Sequence, residues 1–348
     1  VEVLYGDATE TLIRAGLAHF GIEHANVVVE DAGALPFVQM ARLEAAVRRL
    51  NPDADAQPWL PDAFELAQPS ERHRPRRSRL YLPGNEPKFM INAAIHQPDG
   101  LILDLEDSVA PPEKDAARVM ARNALIHLDF MGAEKMVRVN QGERGLNDLE
   151  FLIPYGVQLI LLPKMESADQ VQKFDARIKE IAQATGVDHD IWLMPIVESA
   201  KGAWFAYDIA KASDSIVAVA IGLEDYTADL GVQRTNEGKE SIWARQQLVN
   251  GARAAGVSPI DTVFSDVGDM DALLESVIEA KALGFEGKGC IHPRQIPIVH
   301  QGFAPTETEI KKSKRIVLAF EDAERRGLGV VSLGTKMIDP PVVKRALR

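Results

Sequence analysis

Ionisable residues recur where the apolar runs of this chain stop. Glu106 and Asp107 follow GLILDL, Arg138 and Asn140 close KMVRVN, Lys164 follows QLILLP, Glu198 follows WLMPIV, Asp225 follows SIVAVAIGLE and His292 follows GKGCI. With a single cysteine, Cys290, and few clustered histidines, such carboxylates favour a hard cation with oxygen ligands. Mg²⁺ takes one or two carboxylates and fills its octahedron with water and substrate. Glu198 and Asp225 end consecutive runs and are the candidate ligands. Each also has a plainer reading as the cap of a following helix, and Glu224 offers a second carboxylate for the role of Asp225. Taken singly, any of these residues reads as a solvated charge on a loop; the agreement of so many run ends points to one shared mouth.

The elements that would bring them together are eight strand candidates: Arg79–Pro83, Gly100–Glu106, Lys135–Asn140, Val157–Lys164, Asp190–Glu198, Ser215–Asp225, Pro259–Asp266 and Gly287–His292. Helical patterns fill the gaps, as at Asp169–Ala182 and Asp271–Leu283. Runs such as VQLILLP and SIVAVAIG are apolar throughout, as strands covered on both faces must be. Eight strand–helix units over roughly 220 residues predict an α/β fold, a (β/α)8 TIM barrel spanning 77–302. In that fold the C-terminal strand ends share one face, where working residues gather. An open doubly wound sheet is the competing architecture, but neither a GxGxxG after the first strand nor a P-loop is present.

A small α/β module over 1–50 precedes the barrel. Ile13, Leu17 and Phe20 share a helical face, Asn26–Glu30 reads as a strand, and Met40, Leu43, Val47 and Leu50 stripe a second helix. One strand and two helices are too little to bury a core, so the module is expected to dock on the main domain or to lack its beginning. Pro52, Pro58, Pro61, Pro69 and Pro75 mark 51–76 as a linker ending in a basic run, and 303–348 reads as a C-terminal helical tail or lid. The chain opens on Val1 with no charged-then-apolar leader, which reads as missing upstream residues. A net charge of −12 with no extended basic block disfavours nucleic-acid binding. No apolar run approaches the roughly 20 residues that span a bilayer. One cysteine fits a reducing, cytoplasmic setting.

At these residues the sequence resembles the citrate lyase β-subunit family, which includes malyl-CoA and citramalyl-CoA lyases. The resemblance runs from about Arg76 to the C-terminus through RRSRLYLPGNEPK, LILDLEDSVAPPEKDAAR, VRVN, LLPKMES, PIVESAKG, GLEDYTADLG, GFEGKGCIHPRQI and GTKMIDPPVVKRA, all in order. It implies a lyase dependent on Mg²⁺, with Mn²⁺ as the alternative, that cleaves a 3-hydroxyacyl thioester to a 2-oxo acid and an acetyl thioester. Glu198 in PIVES and Asp225 in GLED are implied as metal ligands, and Arg138 in VRVN as a catalytic residue that contacts substrate. Tyr81 and Lys88 in LYLPGNEPK, Glu106 and Asp107 in DLED, and Ile291 and His292 in IHP are implied to line the substrate and its thioester. Asp339 in MIDPP matches a catalytic aspartate that reaches the neighbouring subunit's site, implying a trimer or hexamer with shared sites. On residues alone, His292 also reads as a local hydrogen-bonding histidine, and Asp339 as part of a turn set by Pro340 and Pro341.

The segment NVVVEDAGALPFVQMARLEAAVRRL is similar to the end of the citrate lyase γ subunit, the acyl carrier of that complex, which implies a fused γ–β chain and other citrate lyase subunits as partners. The family's carrier serine lies upstream of the matched part, and no Ser precedes Ser70. A phosphopantetheine-type arm would therefore need residues before Val1; otherwise CoA carries the acyl group. The module tips the expected substrate to a citryl thioester, releasing oxaloacetate. Two readings come from other classes: a thioesterase that uses the same metal and a water, and a scaffold subunit with a vestigial site.

Overall fold

The computed structural model describes residues 2–51, 58–60 and 68–347. Eight parallel strands close into a barrel: β1 (Ser78–Pro83), β2 (Gly100–Asp104), β3 (Glu134–Arg138), β4 (Leu159–Leu162), β5 (Trp192–Val197), β6 (Ala218–Ile221), β7 (Ser258–Asp261) and β8 (Gly287–Cys290). Each pairs with the next, and β8 returns to β1 through Ser78↔Lys288 and Arg79↔Gly289. The period of two sends Ile102, Met136, Leu159, Leu161, Met194, Ile196, Ala220 and Ile260 into one interior cluster. Their chain neighbours Leu101, Ile160, Leu193 and Val219 are buried as well, so both faces are covered. The eight-stranded barrel expected from the apolar runs is the fold observed. Cys290 closes β8 with its side chain fully buried, and burial pushes its thiol up to about 12.

The strands are shorter than the runs that announced them. The clearest case follows β6, where the chain leaves the sheet at Ile221 and winds into the helix Leu223–Leu230. Asp225, expected at a strand end, lies in the first turn of that helix. Leu223, Tyr226 and Thr227 bury one face of it, so the apolar character continues while the period changes.

The first helices are Glu2–His19 and Pro36–Leu50. The expected strand at Asn26–Glu30 does not form: no partner strand pairs with it among the described residues, and Val28 is 80% exposed. The second helix docks on the barrel helix Lys114–His127 through a fully buried ion pair. Arg122 donates to both carboxylate oxygens of Glu44, at 2.8 and 2.6 Å. Trp59 N donates to the same carboxylate at 3.1 Å, and Asn123 Nδ2 donates to the Phe37 carbonyl at 3.1 Å. The Trp59 ring packs with Ile13, Met40, Leu43 and Val47. The start of the chain therefore shares one compact unit, Val1–Gly302, with the barrel.

The expected linker 51–76 falls partly on 52–57 and 61–67, outside the described residues. Its basic end is structural, not a solvated spacer. Arg76 pairs with the buried Glu134 at 2.7 Å, Arg77 pairs with Asp99 at 2.9 Å, and Arg72 lies 5.5 Å over the Trp192 ring. These partners sit at the N-terminal ends of β2, β3 and β5, so the run closes the floor of the barrel. No helix among the described residues is long and apolar enough to cross a membrane.

A second unit, Phe303–Arg348, has its own small core of Ile316, Phe320 and Ile338. Its helix Glu307–Arg325 starts at a capping box of Thr306 and Glu309. An antiparallel hairpin of β9 (Val331–Leu333) and β10 (Lys336–Ile338) leads to the helix Pro340–Ala346.

Candidate active site

At the C-terminal mouth, a cavity of about 370 Å³ is lined by Tyr81, Asp104, Asp107, Arg138, Glu198, Asp225 and Ile291, with Arg79 also lining it from within the barrel. Strand register builds its first half. Asp104 ends β2 directly beside Arg138, which ends β3. Arg138 grips Asp104 with two hydrogen bonds of 2.6 and 2.7 Å and reaches Glu106 at 3.0 Å. Its guanidinium lies 5.3 Å over the Tyr81 ring. Burial alone would raise the Asp104 carboxyl, but the hydrogen bonds and charge of Arg138 outweigh it and hold the pKa low. Burial likewise opposes the charge on Arg138, and its carboxylate partners more than compensate.

The other half is built by β5 and the helix after β6. Ser199 caps the helix that follows β5, accepting from Gly202 N, so Glu198 is not needed as a cap. Asp225 is no cap either, because its helix begins at Gly222 without a side-chain bond. Glu224 also lines the cavity but is held at 2.6 Å by Arg234, whereas Asp225 pairs with Lys164. Lys164 sits in the left-handed region at φ 53, rare for a residue with a side chain. That turn aims its N–H at Glu198 Oε2, 2.8 Å away, while its ammonium lies 3.2 Å from Asp225 and 3.7 Å from Glu106. Gly222 presses on Glu198 so closely that a Cβ there would fall 2.5 Å from the carboxylate.

Burial is the main reason that the Glu198 carboxyl is pushed up to about 7, with Glu106 and Asp225 adding to it against Arg138 and the Lys164 N–H. Glu106 is raised for the same leading reason. Crowded, desolvated carboxylates of this kind suit a divalent cation. Among the described residues no three His, Cys, Asp or Glu side chains form a metal-binding group; Glu198 and Asp225, the expected ligands, line the same cavity. Two carboxylates, with water and substrate to complete the shell, match Mg²⁺ rather than Zn²⁺.

Two other expected residues of this unit, Lys88 and His292, do not line the cavity. Lys88 is 67% exposed, paired with Glu86 at 3.1 Å and stacked over Phe89, and does not line the cavity. His292 accepts from Arg294 N at 3.1 Å, the local role open to it from the start, while its neighbour Ile291 reaches the cavity. In the second unit, Asp339 caps the helix Pro340–Ala346 by accepting from Val342 N at 3.2 Å, with prolines at the first helical positions. Three residues were overlooked. Asp104 was hidden among the acids of DLED, because only register shows which one faces Arg138. Arg79 shares the inward parity of Tyr81, and the spacing RLY carried that signal. Gly222 gave none.

A family model described as HpcH/HpaI aldolase/citrate lyase matches residues 77–293, from β1 through β8. The chain belongs to that family. Membership makes it a carbon–carbon lyase built on this barrel. It is similar to the citrate lyase subunit beta of Haemophilus influenzae, 42% identical over 78% of this chain and 94% of that protein. It is also similar to the mitochondrial citramalyl-CoA lyase of Rattus norvegicus, 32% identical over 87% of this chain and 92% of that one. Among solved structures, the protein CitE from Mycobacterium tuberculosis in complex with magnesium, acetoacetate and coenzyme A has a TM-score of 0.65 at 32% identity, covering 80% of this chain and 97% of that one. Residues 1–50 match a second family model, the malonate decarboxylase delta subunit.

With Glu198 as an expected ligand that must be ionised to bind, the apparent affinity for Mg²⁺ should climb about tenfold per pH unit up to about 7 and level off above. Calorimetric titration across that range tests this. Equal affinity on both sides of neutrality would remove Glu198 from the ligand set.

Proposed function

We propose that the lyase acts on a citryl thioester, releasing oxaloacetate and an acetyl thioester. The observation that carries this reading is one cavity lined by Glu198, Asp225 and the buried Arg138. The high identity to citrate lyase beta subunits and the carrier-like match at residues 1–50 support the choice of acyl group. Bound between Glu198 and Asp225, Mg²⁺ would act as Lewis acid and template for the 2-oxo acid.

Cleavage breaks the bond between the carbinol carbon and the carbon beside the thioester carbonyl. The hydroxyl loses its proton as it becomes the ketone, and the thioester enolate gains one. Arg138 offsets negative charge near the breaking bond; its hold on Asp104 fixes its position beforehand. Tyr81, Asp107 and Ile291 bound the space for the acyl group, and Lys88 is assigned to the outer part of the thioester carrier. Asp339 is assigned the proton returned to the enolate, acting in a neighbouring protomer of a trimer or hexamer. CoA or a phosphopantetheine-type arm carries the acyl group, and a cytoplasmic setting fits the single cysteine. The module's likeness to a carrier also makes other citrate lyase subunits the partners to seek.

The product test is direct: incubation with citryl, citramalyl and malyl thioesters should yield oxaloacetate fastest. Predominant pyruvate or glyoxylate would replace the citryl assignment, and free acid of unchanged carbon count would mean thioester hydrolysis. Sharing of the site has its own test. Arg138→Ala and Asp339→Ala should each be nearly inactive, and mixed oligomers of the two should regain a fraction of activity set by the mixing ratio. No recovery despite demonstrated subunit exchange would place Asp339 in its own chain's site.

A further inference from the structure

Arg79 is the odd member of the barrel interior. It lies on β1 two residues before Tyr81, on the same inward face, and is only 1% exposed. A guanidinium stays charged even where burial draws its pKa down, as it does here. Other buried cations of the chain have carboxylates at hand: Arg122 has Glu44, Arg76 has Glu134, and Lys288 has Asp261 at 2.7 Å. Among the described residues none pairs with Arg79. Its Nη1 meets only the weak acceptor Met194 Sδ at 3.1 Å, and its Nε has no hydrogen-bond partner.

An uncompensated buried charge is costly, so its persistence needs an occupant or a compensating group. The space beside it fits an occupant. Arg79 lines the same cavity as Glu198 and Asp225, and small residues, Ala220 and Gly289, line it too. A Cβ at Gly289 would fall 3.3 Å from the Tyr81 ring. The cavity is therefore lined both by carboxylates suited to a metal and by a guanidinium with no carboxylate partner.

Resting on the citryl reading, we infer that Arg79 binds the second carboxylate of the departing 2-oxo acid and so selects dicarboxylic over monocarboxylic products. Oxaloacetate carries that carboxylate beyond its keto group; pyruvate and glyoxylate do not. A bidentate Arg–carboxylate pair would supply the acceptor that Nε lacks and replace the weak one at Nη1. A site built around such a pair discriminates strongly, because a ligand without the carboxylate leaves the guanidinium unpaired.

The test is binding of oxaloacetate and pyruvate to the Mg²⁺-loaded protein by calorimetry, with wild type, Arg79→Met and Arg79→Lys. Wild type should prefer oxaloacetate, Arg79→Met should lose about 100-fold of that preference, and Arg79→Lys should keep part of it. Arg79→Met should also melt no lower than wild type, since it replaces an unpaired buried charge with an apolar chain. A preference that survives in Arg79→Met, or a wild type with none, overturns the assignment. If Arg79→Met does not fold, equal affinities of Arg79→Lys for the two acids overturn it as well. Binding separates this result from the citryl reading: a wild type that binds oxaloacetate through Arg79 yet cleaves only citramalyl thioester refutes that reading and leaves the subsite standing.

Discussion

Glu198→Gln should lose activity by about a thousandfold or more and still melt at least as high as the metal-free wild type. The two halves of this expectation have one cause. A Glu whose folded pKa is about 7, raised by burial from an ordinary 4.5, binds its proton more tightly folded than unfolded. Stability then falls as pH rises from the unfolded to the folded pKa, and the full cost, on the order of 3 kcal/mol, is present above neutrality. Glutamine is neutral and nearly isosteric, so it removes that cost together with the charge that holds the ion. Melting curves at acid and alkaline pH should converge at the acid end, where Glu198 is already protonated. A variant that unfolds well below wild type at alkaline pH would show that the ionised carboxylate is a structural partner and not a strained ligand.

Glu44→Ala should cost about 3–5 kcal/mol, because it leaves Arg122 charged and unpaired in a dry interface. Burial opposes ionisation of Glu44, and the bonds and charge of Arg122 override it. For a unit of this size the melting temperature should drop by roughly 5–8 °C. Removing residues 1–60 should be as damaging, since it takes the same partner away and uncovers the helix beneath. The double variant Glu44→Leu, Arg122→Leu should recover much of the loss, because two apolar chains leave no stranded charge. A Glu44→Ala protein that melts with wild type would mean that the start of the chain detaches in solution.

The barrel was legible because its strands are apolar on both faces, so LILL and AVAI stand out whatever surrounds them. Glu198 and Asp225, the expected metal ligands, do line one cavity, although Asp225 reaches it because a helix begins at Gly222, not because a strand ends. Local composition misled where partners decide the outcome. Three valines in Asn26–Glu30 have the propensity of a strand but nothing to pair with. Arg72, Arg76 and Arg77 look like a solvated run until Trp192, Glu134 and Asp99 arrive from remote positions. Asp104 and Arg79 were missed for a related reason: a charged residue within an apolar strand gains meaning only when register and parity say what it faces.

The buried state of Cys290 has a practical use at the bench. A protonated, enclosed sulfur should not react with a colorimetric disulfide reagent while the protein is folded. Carbon–carbon cleavage leaves the sulfur of the acyl carrier esterified and colourless, whereas hydrolysis sets a thiol free. Colour that grows with substrate turnover therefore reports hydrolysis alone, with no background from the enzyme, and a flat trace beside accumulating oxo acid identifies the lyase in one cuvette.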